Sequence, residues 1–128
     1  MGGKLWALPI TLIGLIYGIV NLIFRSTISF KYNAICFENC VFVSSHSAVT
    51  LGNCILCSTS LEDHLITYEG KQTDVPLGQH EIAHTFQYER LGLFFLIVWI
   101  VNGGPSKRNP LEIAADTYAT SGEGWWPW

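Results

Sequence analysis

Residues 80–92 read HEIAHTFQYERLG, and the first five, His80-Glu81-Ile82-Ala83-His84, set two histidines four apart with a glutamate behind the first. The flanks carry helix signals. Asp74 suits an N-cap and Pro76 a first turn. Gly92 suits a stop after Arg90 or Leu91. On a helix, residues four apart share a face. The two imidazoles can then hold one metal ion at about 2.0–2.1 Å per nitrogen. Glu81 is left within reach of a water on that metal, where a carboxylate serves as general base. The metal would bring the pKa of such a water to about 7.

Three fixed positions do not stand alone, so a third ligand is required downstream. Residues 109–116, NPLEIAAD, supply it. Asn109 is placed to cap a second helix and Pro110 to open it. Glu112 and Asp116 are four apart and share a face of it. The pair of motifs resembles the gluzincins, the thermolysin-like zinc metallopeptidases, which carry H-E-x-x-H on one helix and E-x-x-x-D on the next. The resemblance implies zinc held by His80, His84 and Glu112, with Asp116 supporting the first histidine. It implies Glu81 as the base that activates a zinc-bound water for hydrolysis of a peptide bond. Gluzincins usually also place a Tyr or His to stabilise the oxyanion. Tyr118 and Tyr88 are the candidates, and no motif fixes either.

A second, less specific likeness covers most of the chain. The run from His84-Thr-Phe-Gln87-Tyr88-Glu89 through Leu91-Gly92, an apolar stretch and then Asn-Pro-Leu-Glu is similar to small, membrane-associated bacterial metallopeptidases. So is Val49-Thr-Leu-Gly-Asn53 upstream. That likeness implies the bacterial inner membrane and says little about substrate. The chain is shorter than the soluble gluzincins it resembles, with little left for a subdomain to wall off a cleft.

Composition agrees with a membrane setting. Charged residues make up only 13% of 128, against about 25% in an ordinary soluble domain. Leu5 to Phe24 contains no charge at all and is flanked by Lys4 and Arg25. Helical, those twenty residues reach roughly 30 Å, the thickness of a hydrocarbon core. A membrane helix over residues 1–25 is the leading expectation; a cleaved signal peptide and a buried core helix are the alternatives. Leu91 to Val101 is a second uncharged run, too short to span, suited to a core helix, a re-entrant segment or a lipid-facing surface. Trp125, Trp126 and Trp128 suit an interfacial anchor or packing under the catalytic domain. The net charge of −3 and scattered basic residues argue against nucleic acid as a partner.

Between these parts, residues from about Ser29 to Tyr68 carry strand signals. The segments are Ile35–Phe37, Cys40–Val43, Ala48–Leu51, Ile55–Cys57 and Leu65–Tyr68, with Gly52-Asn53 as a turn. Glu69 to Gln72 is polar and turn-like. The expectation is a small, mainly antiparallel sheet. Cys36, Cys40, Cys54 and Cys57 fit buried thiols, a disulfide or a structural zinc site. His46 and His64 read as surface or turn residues, His64 with a lesser chance of lining the site.

The whole reads as α+β: a minimal zincin-like domain over residues 26–128 behind the hydrophobic helix. Its expected activity is zinc-dependent hydrolysis of a peptide or protein substrate. The strand around Leu65 to Tyr68 is the candidate for holding that substrate extended. Two rivals are a secreted effector or toxin peptidase with the same chemistry, and a non-catalytic membrane subunit that keeps zinc for structure.

Overall fold

The computed structural model describes residues 2–31, 34–40, 48–58, 65–68 and 71–128. Among them the chain is α+β, with four helices, a four-stranded sheet and a two-stranded ribbon. Helix α1 spans Gly2–Ile23. Strands β1 (Thr27–Lys31), β2 (Ala34–Glu38), β3 (Ala48–Leu51) and β4 (Cys54–Cys57) make a sheet ordered β1-β2-β4-β3. Strands β5 (Leu65–Tyr68) and β6 (Lys71–Pro76) pair separately, and α2 (Leu77–Leu91), α3 (Phe94–Val101) and α4 (Pro110–Ser121) follow.

The sheet is mixed, not mainly antiparallel, because β4 runs parallel to β2. The Gly52-Asn53 turn makes a tight β3–β4 hairpin. That hairpin inserts β4, rather than β3, beside β2. All four residues of β4 are buried, as befits a central strand covered on both faces. Alternation sorts them. Ile55 and Cys57 join Cys36, Leu77 and Ile82 on the α2 side. Cys54 and Leu56 join Phe37, Cys40 and half-buried Leu15 and Leu22 on the α1 side. The four cysteines are therefore buried and divided between two faces, not one metal cluster.

Two local expectations are corrected. Residues 71–76 are extended, since pairing with β5 holds them in a ladder, so Lys71 and Gln72 begin a strand rather than a turn. Helix α2 accordingly starts at Leu77 with Pro76 at the cap position, and Asp74 does not cap it. Val41 to Val43, His46, His64, Glu69 and Gly70 lie outside the described residues.

Helix α1 is part of the domain and is also long and apolar enough to cross a membrane. Its inward stripe is Ala7, Ile10, Thr11, Gly14, Gly18 and Asn21. Small residues let it approach closely: a Cβ on Gly14 would lie 2.8 Å from Cys54 Cβ, and one on Gly18 would lie 2.5 Å from Phe37 Cζ. Thr11 Oγ1 accepts from the Asn53 backbone N–H at 2.9 Å. Lys4 Nζ and Asn53 Nδ2 both donate to Glu89 Oε1 at 2.9 and 3.1 Å, pinning α1 and the β3–β4 turn to α2. The opposite face of α1, including Leu5, Leu12, Ile16, Ile19 and Ile23, is exposed.

Gly18→Val is expected to cost about 1–3 kcal/mol, because the fully buried Phe37 ring has to move to admit the side chain. Gly2→Ala, with open space around it, is the matched control. Thermal unfolding of both proteins in detergent checks this, and equal midpoints would contradict the packing.

Candidate metal centre

Helix α2 presents His80 and His84 one turn apart on a buried face. Helix α4 lies against it and presents Glu112 and Asp116. Asn109 builds the start of α4. Its side chain accepts from the Leu111 N–H at 3.0 Å, and its amide donates to Trp99 O and Gly104 O at 3.0 and 2.9 Å. That one buried residue fixes the end of α3, the turn and the first turn of α4, which sets Glu112 in place.

Three ligand groups converge. The Nε2 atoms of His80 and His84 are 3.0 Å apart. Glu112 Oε2 is 2.9 Å from His80 Nε2, and Glu112 Oε1 is 3.4 Å from His84 Nε2. Two ligand atoms held at about 2.0–2.1 Å by one tetrahedral ion stand roughly 3.3 Å apart, so these spacings suit a single small cation. All three side chains are buried. His80, Glu81 and His84 also form a group able to hold a metal ion.

The far side of each imidazole is occupied. Asp116 Oδ1 is 2.7 Å from His80 Nδ1, and Gln87 Oε1 is 2.8 Å from His84 Nδ1. Both partners accept, so each Nδ1 carries the hydrogen. In the neutral tautomers that leaves two Nε2 lone pairs and a carboxylate facing one another in buried surroundings. Such a cluster needs a cation, either a metal ion or a proton. Burial alone lowers the pKa of His80. Its bonds to Asp116 and Glu112, with the field of Glu81, outweigh burial and raise it to about 10. Burial pushes Glu112 the other way from its bonds to His80 and His84, and the bonds prevail, holding it well below the usual carboxylate range.

A proton and a metal ion would thus compete for His80. The proton's contribution to metal-free stability is fully present below about 6.5 and fades as pH rises through about 10. Metal uptake near pH 7 is expected to release at least about one proton per ion, and affinity to fall as pH falls. Calorimetry in buffers of different ionisation enthalpy reads that proton directly; uptake with no proton released would contradict the ligand set.

Glu81 lies beside this cluster and is held from the sheet. Thr50 Oγ1, on β3, bonds to Glu81 Oε2 and lies 3.3 Å from its backbone carbonyl. Burial raises the Glu81 pKa, while His84, His80 and Thr50 pull it back in part. Helix α3 closes the site. Its Phe95 ring lies 5.7 Å from His84, and Trp99 Nε1 donates to Glu112 Oε1 at 2.7 Å.

Every residue of the two sequence motifs comes together here, on helices 28 residues apart between His84 and Glu112. Tyr118 does not join them; it is half-buried against Phe86 with ring centroids 5.8 Å apart. Tyr88 is the more deeply buried phenol. Its ring lies 4.0 Å from Phe95, and its buried hydroxyl has no hydrogen-bond partner among the described residues. Burial, and then Glu81, raises its pKa. Gln87, Thr50 and Trp99 were not marked as site residues by the sequence. Gln87 was legible in part, since it follows His84 by three on the same helical face. No family model, curated protein or solved structure matches the chain.

Proposed function

We propose that the chain is a small zinc metallopeptidase of the gluzincin type, working at a membrane. The observation that carries this reading is the convergence of two imidazole Nε2 atoms and a carboxylate, each imidazole tied at Nδ1 to an acceptor. His80, His84 and Glu112 would hold the ion. The all-protein set of two nitrogens and one carboxylate is that of a catalytic zinc site, which keeps its fourth position for water or substrate. When bound, zinc supplies Lewis acidity and lowers the pKa of a water.

The chain's own residues do the rest. Glu81 accepts the proton lost by the attacking water and returns it to the leaving amine. Thr50 fixes the Glu81 carboxylate in that position. Asp116 and Gln87 orient the two imidazoles. Trp99 donates to Glu112 Oε1 and fixes the carboxylate against the two imidazoles. The unpartnered Tyr88 hydroxyl is the donor assigned to the developing oxyanion.

An extended peptide is better assigned to β3 than to the strand Leu65–Tyr68. Strand β3 is one of the two terminal strands of the four-stranded sheet and carries the residue that touches Glu81, whereas β5 sits in the separate ribbon. The outer faces of α1 and α3 give the membrane contact. Phe94, Ile97, Ile100 and Val101 are exposed on α3, and Trp6 of α1 meets Phe94 with ring centroids 6.1 Å apart. At about 1.5 Å per residue, α1 matches a hydrocarbon core of about 30 Å.

The test is exposure of the zinc-loaded, detergent-solubilised protein to a mixed peptide library, with new termini read by mass spectrometry. Cleavage above the Glu81→Gln protein supports a peptidase. Equal traces from the two proteins would favour a zinc-holding structural subunit instead.

A further inference from the structure

We infer that the segment from Gly122 to Trp128 is a strap that sets the tautomer of His84 through the side chain of Gln87. Gln87 is thereby a positioning residue for a metal ligand; the consequence for metal binding rests on the zinc reading above.

The argument begins with a fully buried amide. Gln87 Nε2 donates to Leu111 O at 3.0 Å and to Trp125 O at 2.8 Å. Backbone carbonyls only accept, so this end of the amide is the NH₂ group, and both its hydrogens are consumed. Oε1 is then the atom 2.8 Å from His84 Nδ1, and it can only accept. The hydrogen of a neutral His84 is forced onto Nδ1, and the Nε2 lone pair is turned toward His80 and Glu112. A flipped amide would set its oxygen against two carbonyl oxygens. It would also drive the His84 hydrogen to Nε2, where it blocks ligation.

Two carbonyls hold this orientation, and they come from different places. Leu111 is in the first turn of α4, next to Glu112. Trp125 is in the strap. The strap is turned back from α4 by Gly122, the left-handed residue that ends the helix at φ +80, and bends again at Gly124, φ +82. It is then seated on α2 by aromatic contacts. The Trp125 ring lies 5.6 Å from Phe86, and the Arg90 guanidinium stacks 4.5 Å from the Trp126 centroid. Phe86, Gln87 and Arg90 are thus all contacted by one short segment. Unseating it removes one of the two bonds that keep the Gln87 oxygen pointed at His84.

The experiment measures two things on the full chain in detergent. The His84 tautomer is read in the metal-free protein from imidazole ¹⁵N shifts. Zinc affinity is read by competition with a chromophoric chelator. The wild type is expected to show Nδ1–H. Gln87→Leu is expected to mix the tautomers and weaken zinc by about 10–100-fold, the usual effect of removing a ligand's outer partner. Gln87→Glu keeps an acceptor for His84 Nδ1 but sets its second oxygen against the Leu111 and Trp125 carbonyls, so Nδ1–H should return while affinity stays below the wild type. Deleting residues 125–128 is expected to mix the tautomers and weaken zinc by about tenfold. Trp126→Ala, a milder unseating, should move both readouts in the same direction if the deletion fails to fold. Nε2–H in the wild type would overturn the inference. So would an unchanged tautomer and affinity in the folded deletion, or in Trp126→Ala where the deletion does not fold. If the wild type binds no zinc, the peptidase reading fails, and the tautomer series still decides the role of the strap.

Discussion

Glu81→Gln is expected to keep its zinc and lose about 10²–10⁴-fold in turnover, the range a positioned general base contributes. The substitution is nearly isosteric, and the amide oxygen can still accept from Thr50 Oγ1, so the side chain should stay where the carboxylate lies. What disappears is basicity. Burial raises the Glu81 pKa, which makes it a stronger base than an exposed glutamate, and an amide has none of that capacity. Steady-state hydrolysis at saturating peptide, beside metal analysis of the same preparation, separates the two effects. A variant that turns over like the wild type would remove Glu81 from the chemistry.

Glu112→Ala is expected to do the reverse damage. It removes a ligand, so zinc affinity should fall by more than the roughly 10–100-fold typical of losing an outer partner. It also costs stability even without metal. Trp99 Nε1 loses its acceptor and His80 Nε2 loses its carboxylate, both in buried surroundings. Each unsatisfied buried group costs about 1–3 kcal/mol. Chelator competition and thermal melts of the metal-free proteins read the two losses apart. Full zinc retention in Glu112→Ala would sink its assignment as a ligand.

The site was legible in the sequence because its chemistry needs fixed residue types at helical spacing. His80 and His84, like Glu112 and Asp116, are four apart, and four apart means one face. The caps at Gly92 and Asn109-Pro110 were legible for the same local reason. The start of α2 was not. Asp74 has the chemistry of a cap, but pairing of β6 with β5 overrides it, and that pairing is a tertiary fact. Sheet order was hidden likewise: nothing in Cys54–Cys57 says that β4, and not β3, is the strand beside β2. The apolar run of β4 was a sign that it is buried on both faces, and it fits the division of its cysteines between two layers. Thr50, Trp99 and Gln87 support the site from other elements or by side-chain reach. Their types carry no signal until the fold brings them in.

Helix α1 shows the same limit from the other side. Its length and the uncharged run that begins at Leu5 mark a hydrophobic helix. Its register of Ala7, Gly14 and Gly18 shows, once the sheet is in view, that one face of it packs on the sheet.

The most direct test is the metal content of the purified protein in detergent, wild type beside His84→Ala. One zinc per chain in the wild type, absent from the variant, is the predicted result. Zinc that persists in the variant would contradict His84 as a ligand, and a wild type with no zinc would leave the His80–Glu112 cluster a protonated ion pair without catalytic metal.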